Sequence, residues 1–178
     1  MIGPNSKGFV VWLTGLPGAG KSTLAHLVAA ELRQLGLPVE TLDGDAVRRE
    51  LTRDLGFTRQ DREENVRRIA YVAKLIARIG GVAVVAAISP YAVSRDKARA
   101  DIERFAEVYV RCPIGTCMIR DPKGLYAMAS RGEIQHMTGL SDPYEEPQNP
   151  EIVVDTDQEL PESSLQTIMA GLRRLKFI

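Results

Sequence analysis

Apolar residues gather in five short runs, Phe9–Leu13, Val39–Leu42, Val82–Ile88, Val108–Val110 and Ile152–Val154. Most are continuous rather than alternating, which is how strands look when both faces are buried, as in a parallel sheet covered by helices. Between them lie segments of helical pattern, Lys21–Leu35, Asp61–Ile79, Val93–Phe105 and Ser163–Leu175. The order β-α-β-α-α-β-α-β, with a further strand and a terminal helix, predicts an α/β fold of three layers, α/β/α, around a mainly parallel five-stranded sheet. Segment 121–150 breaks this rhythm, with Pro122, Gly124, Gly132, Gly139, Pro143, Pro147 and Pro150 among scattered charges. Because a strand and a helix follow it, it reads as a mobile lid inserted in one domain and not as a linker. Met1–Lys7 reads as a loose terminus.

Composition narrows the class. At 178 residues the chain has the length of one domain, expected to span 1–178. Hydrophobic residues at 44% and charged residues at 26% are ordinary globular usage. The formal net charge of zero offers no bulk attraction to nucleic acid or to an anionic membrane, so an anionic ligand has to be held by local donors. Cys112 and Cys117 have no second Cys or His pair nearby to complete a metal cage. The first apolar run is too short for a signal peptide, and no stretch reaches the ~18 apolar residues of a membrane helix. A reducing cytoplasm is the expected setting.

The strongest chemical signal is Gly15-Leu16-Pro17-Gly18-Ala19-Gly20-Lys21-Ser22, a GxxxxGK[ST] loop. It stands directly after an apolar strand and directly before a helical pattern, where a chance Gly-rich turn is a poor explanation. Glycines let the loop turn its N–H groups inward as an anion nest, and the helix adds its positive end. Lys21 then reaches the β- and γ-phosphates, and the Ser22 hydroxyl ligates Mg²⁺. Neither NKxD nor LSGGQ occurs, and Val82–Ile88 runs into Ser89-Pro90-Tyr91 rather than an acidic residue. A small-molecule kinase with its acids elsewhere is favoured over a GTPase or transport ATPase.

Those acids are Asp43 and Asp45, in Asp43-Gly44-Asp45 at the carboxyl end of the second strand, where open α/β sheets gather their ligands. One can receive a proton from an acceptor hydroxyl while the other assists Mg²⁺. The same tripeptide also suits an Asx turn followed by a helix cap. Arg48, Phe57, Arg62, Asn65 and Arg67 follow, with guanidinium groups for phosphate or sulfate and a flat ring for a base. Local pairing with Asp61, Glu63 and Glu64 on a solvated helix explains such a run equally well.

Together the segments VWLTGLPGAGKST, LDGDAVRREL, DLGFTRQDREENVRR, ISPY, RDPKGLY and TGLSDPYEEPQNPE, running from about Gly8 to the C-terminus, resemble the adenylylsulfate (APS) kinases of the P-loop kinase superfamily. The resemblance implies ATP-dependent phosphorylation of the 3′-hydroxyl of adenosine 5′-phosphosulfate, giving PAPS and ADP in sulfate assimilation, with Mg²⁺. It implies that Gly15, Leu16, Pro17, Gly18, Ala19, Gly20, Lys21, Ser22 and Thr23 hold ATP, with Arg120 near its base. Asp43 becomes the candidate base at the acceptor hydroxyl, and Asp45 joins Ser22 near the metal. Arg48, Arg62 and Asn65 hold APS, Phe57 stacks on its adenine, and Ile88, Thr138, Gly139 and Leu140 complete the acceptor site. Lys123 sits on the lid over the phosphates. Ser89 occupies the position of a supposed phosphoserine intermediate, but direct transfer with Ser89 as a polar positioning group is favoured.

Two departures stand out. Family members commonly read SPYR and FTG, where this chain has Ala92 after Tyr91 and Met137 before Thr138. Met137 is expected to face Phe57 across the adenine in place of an aromatic ring. The resemblance also implies a homodimer and leaves room for a sulfate adenylyltransferase partner or fusion. The alternatives are a P-loop kinase for a nucleoside monophosphate or sugar acid, and a catalytically weak nucleotide-binding module that regulates a sulfurylase.

Overall fold

The computed structural model describes residues 7–178, so the expected loose terminus lies outside it except for Lys7. All five strands form: β1 (Phe9–Thr14), β2 (Val39–Asp43), β3 (Val82–Ala86), β4 (Phe105–Arg111) and β5 (Ile152–Asp155). They pair in parallel throughout, in the spatial order β2-β3-β1-β4-β5. Seven helices accompany them: α1 (Lys21–Gln34), α2 (Gly44–Glu50), α3 (Arg59–Arg78), α4 (Ala92–Asp101), α5 (Ile114–Arg120), α6 (Leu125–Ser130) and α7 (Pro161–Arg174).

The unbroken apolar run of β1 is explained by what covers it. Phe9, Val11 and Leu13 pack with Leu24 and Val28 of α1 and Ile168 and Leu172 of α7. Val10 and Trp12 turn to the opposite face, against Val66 and Ile69 of α3 and Ala98 of α4. Full burial of such side chains contributes roughly 1.5–3 kcal/mol each. An exposed pair such as Lys7–Glu103 is screened by water and contributes little beside this, so core burial decides the layering.

Several boundaries differ from the sequence expectation. β3 ends at Ala86 and not at Ile88, because Ser89 adopts a left-handed φ of 42° that turns the chain off the sheet. The helix expected to reach Phe105 stops at Asp101, and Ile102 is already extended. Phe105 instead opens β4 and packs 5.8 Å from the Trp12 ring. α3 begins two residues before Asp61, since Thr58 and Asp61 form a reciprocal capping box. Segment 121–150 is not wholly irregular, as it contains α6, whose first N–H groups are taken by the Asp121 carboxylate. No helix among the described residues is long and apolar enough to cross a membrane.

This topology brings the carboxyl ends of β1, β2 and β3 to one edge. The chain leaves β1 toward β2 on one side and later places β4 on the other, so β1 ends at a point where strand order reverses. Open parallel sheets offer a crevice there.

Candidate active site

A cleft of about 1130 Å³ opens at that edge. Its floor is the loop between β1 and α1. Gly20 takes a φ of 99° immediately before Lys21, a left-handed conformation that a side chain would oppose, and so frees the first N–H groups of α1. Pro17, Gly18, Gly20, Lys21, Ser22 and Thr23 line the cleft, whereas Gly15, Leu16 and Ala19 lie beneath it. Lys21 Nζ donates to the carbonyls of Gly15 (2.9 Å) and Leu16 (2.8 Å). Burial draws its pKa down to about 8.

The loop is braced from outside. Tyr126 of α6 donates its hydroxyl to Pro17 O at 2.9 Å, and Thr156 donates to Ala19 O at 2.8 Å. Arg120, at the end of α5, donates to Thr156 O and lines the cleft together with Glu159, Leu160 and Pro161. These last three and Thr156 were invisible in the sequence, because they carry no motif and reach the cleft only through the β5–α7 connection.

Asp43 ends β2 and stands between two functions. Its Oδ2 accepts from the Ser22 hydroxyl at 2.7 Å, while Oδ1 accepts from Asp45 N at 3.0 Å and caps α2. The helix cap of Asp43-Gly44-Asp45 is therefore realised, and both aspartates also line the cleft. Burial pushes the Asp43 carboxyl up, but bonds from Ser22, Asp45 and Ala46 and the charge of Lys123 outweigh it and hold the pKa below its ordinary value. Lys123 reaches over from the 121–124 turn to pair with Asp45.

Beyond Asp43 the cleft is lined by Arg48, Phe57, Arg62 and Asn65. The Phe57 ring is 56% exposed, with the Arg48 guanidinium 4.7 Å and that of Arg62 5.6 Å from its centroid. Arg48 is held by the carbonyls of Leu55 and Gly56, and Asn65 Oδ1 accepts from Thr52 at 2.7 Å. Burial, then the neighbouring Arg62, lowers the pKa of Arg48, and burial lowers that of Arg62. Arg67 is not part of the cluster, because its guanidinium is turned to Glu64 on the exposed side of α3.

Ile88 and Ser89 line the third wall. Ser89 is 3% exposed, and its hydroxyl accepts from Trp12 Nε1 (3.0 Å) and lies 3.1 Å from Thr14 Oγ1. Arg95, a buried cation inside a segment that reads as an ordinary amphipathic helix, donates to Ser89 O at 2.7 Å and to Glu107 at 2.8 Å. Ala92 donates its N–H to Glu145 at 2.7 Å.

The turn 137–142 departs from the expectation. Met137, Thr138, Gly139 and Leu140 do not line the cleft. The N–H groups of Leu140, Ser141 and Asp142 all return to Met137 O, which closes the turn and points the apolar Met137 side chain into the core with Cys117 and Tyr126. At 5% exposure Met137 does not stand opposite the ring of Phe57.

Residues 7–155 match the family described as Adenylylsulphate kinase. The chain belongs to the adenylylsulfate kinase family. An adenylyl-sulfate kinase of Halothermothrix orenii is 49% identical over 98% of this chain and 94% of its own length. A probable bifunctional SAT/APS kinase 2 of Sorangium cellulosum is 56% identical over 97% of this chain, which spans only 30% of that longer protein. The APS kinase CysC of Mycobacterium tuberculosis, solved in complex with AMPPNP and APS, superposes with a TM-score of 0.89 at 44% identity, covering 94% of this chain and 98% of the other.

Within this family's chemistry the donors suit a hard cation. Ser22 and the two aspartates offer oxygen only, which matches Mg²⁺. No group of three or more His, Cys, Asp or Glu side chains among the described residues could hold a metal alone. A cation here would therefore rely on nucleotide phosphates and water, as Mg²⁺ commonly does.

The position of Met137 changes what an aromatic at that site should do. Met137→Phe is expected to overpack the core and lower stability by about 1–3 kcal/mol, and not to tighten ligand binding. Thermal unfolding measures this, and a variant with unchanged melting temperature and tighter APS binding would contradict it.

Proposed function

We propose that this chain transfers the γ-phosphoryl group of ATP to the 3′-hydroxyl of adenosine 5′-phosphosulfate, giving PAPS and ADP. The observation that carries this reading is the place of Asp43, bonded to Ser22 of the phosphate loop on one side and followed by the Arg48, Phe57, Arg62 and Asn65 cluster on the other. ATP lies along the loop with its base toward Arg120 and Thr156. The acceptor's adenine stacks on Phe57, and its phosphosulfate meets the arginines and Asn65.

In the transfer, the acceptor oxygen forms a bond to the γ-phosphorus, the bond from that phosphorus to the β-γ bridging oxygen breaks, and the hydroxyl proton passes to Asp43. Lys21 and Lys123 stabilise charge on the phosphoryl oxygens. Ser22, with Asp45 near it, would hold Mg²⁺, which when bound would supply neutralisation of phosphate charge. Ser89 acts as a polar positioning group: its hydroxyl is buried and engaged with Trp12 and Thr14, which supports direct transfer over a phosphoserine intermediate.

The described residues 7–178 work as one domain, with 121–150 as the lid that carries Lys123. A homodimer is supported by Tyr71 and Leu75 of α3 and Ile79 at its C-cap, exposed apolar residues spaced at i, i+4 and i+8. The bifunctional relative supports a sulfate adenylyltransferase as partner or fused neighbour. Two free, buried cysteines fit the reducing cytoplasm.

Mass-spectrometric detection of PAPS from APS and Mg-ATP tests the reading, and ADP release that APS does not stimulate would defeat it. A titration adds a second check. With a pKa of about 8, Lys21 is close to half deprotonated at pH 8, and phosphate oxygens favour its charged form. ATP binding at pH 8 is expected to take up as much as about half a proton at this group, and at pH 6 almost none. Calorimetry in two buffers of different ionisation enthalpy measures the uptake, and Lys21→Ala should abolish it.

A further inference from the structure

Arg62 spends its protein contacts along one edge. Its Nε donates to Phe57 O at 2.9 Å, while Nη2 donates to His136 O and lies 3.6 Å from Asp142 Oδ2. The two N–H groups of Nη1 have no partner among the described residues, and Arg62 lines the cleft beside Arg48 and Asn65. Only 8% of the Arg62 side chain and 16% of that of Asp142 are exposed, so the pair acts where water screens it little. A guanidinium pinned along Nε and Nη2 has Nη1 left to offer a ligand.

We propose that Asp142 is a positioning residue for the acceptor: with the carbonyls of His136 and Phe57 it holds the Arg62 guanidinium so that Nη1 faces the acceptor's phosphosulfate. This rests on the APS kinase reading above. The family motifs hide such a role, since Asp142 lies 80 positions from Arg62 and outside the cleft lining. Its Oδ1 also lies 3.4 Å from His136 Nδ1, but the carboxylate is not what closes the 137–142 turn. Backbone bonds do that, from Gly139 N to Asp142 O (2.8 Å) and from Asp142 N to Met137 O (3.0 Å). The turn also abuts the phosphate loop, where a Cβ on Gly139 would stand 2.9 Å from Leu16 Cδ2. A defect in the turn as a whole would therefore disturb ATP as well as APS, whereas loss of the carboxylate charge alone should not.

Asp142→Asn keeps the shape and removes the charge. The KM for APS is expected to rise roughly tenfold, the low end of the range for losing an outer partner that orients a ligand-binding side chain. The KM for ATP and kcat should stay near wild type, while the melting temperature falls modestly because Arg62 loses a counter-charge where water screens little. In an Arg62→Lys background the same substitution should add less than about twofold, because the group it orients is gone. Asp142→Glu retains the charge but displaces it, and an intermediate rise in the APS KM at unchanged kcat is expected. That variant carries the test if the asparagine does not fold. An unchanged APS KM in Asp142→Asn, an equal rise in both substrates, or a full tenfold effect in the Arg62→Lys enzyme would each overturn the proposal. Failure of the wild-type chain to form PAPS would instead defeat the kinase reading, and the proposal with it.

Discussion

Lys21→Ala is expected to lower turnover by at least about 10²-fold, the scale seen when one preorganised charge stabiliser is removed from a site. Lys21 is fixed before any ligand arrives. Its ammonium is tied to Gly15 O and Leu16 O within the loop, so it needs little rearrangement to meet a phosphate. A preorganised charge near a desolvated phosphoryl group is worth far more than one in water. Steady-state kinetics with Mg-ATP and APS checks this, with thermal unfolding to exclude collapse of the loop. Near-normal turnover would remove Lys21 from the transfer.

Asp43→Asn should separate binding from chemistry. Asparagine caps a helix about as well as aspartate, so α2 should keep its start and the fold its stability. The lost group is the basic oxygen, and the rate should fall by roughly 10²–10⁴, the range for loss of a general base. ATP binding, measured by calorimetry, should survive. Because the Asp43 carboxyl sits below its ordinary pKa, the acid side of the wild-type rate profile should fall only as pH drops through that depressed value and the carboxylate takes a proton. If ATP affinity collapsed in the variant, Asp43 would serve the metal or the fold instead of the proton.

The structure also reapportions what the family motifs suggested. Ser89 lies at the cleft wall, but its hydroxyl is already committed to Trp12 and Thr14, partners 77 and 75 residues away. Arg62 lies at the cleft too, yet two of its N–H groups are already given to protein carbonyls. A motif identifies which residue types meet a ligand. How many donors remain free for that ligand depends on neighbours that arrive from other segments.

The sequence by itself determined the parallel sheet, its three layers, the phosphate loop and the run from Asp43 to Asn65 whose members line the cleft. Each is written over short stretches: continuous apolar runs need burial on both faces, and the loop's glycines are needed where its backbone turns positive in φ. Tertiary structure alone decided the end of β3 and the early start of β4, because Ser89 leaves the sheet at a strained φ and Phe105 finds Trp12 across the sheet. It also decided the fate of Met137. As a residue in a Gly-rich stretch it could face either a ligand or the core, and the closed turn chose the core by drawing three N–H groups onto its carbonyl. The residues at the base end, Thr156 to Pro161, and the orienting partners Asp142 and Arg95 belong to the same class. Their roles come from long-range contacts, which leave no periodicity or local spacing in the chain.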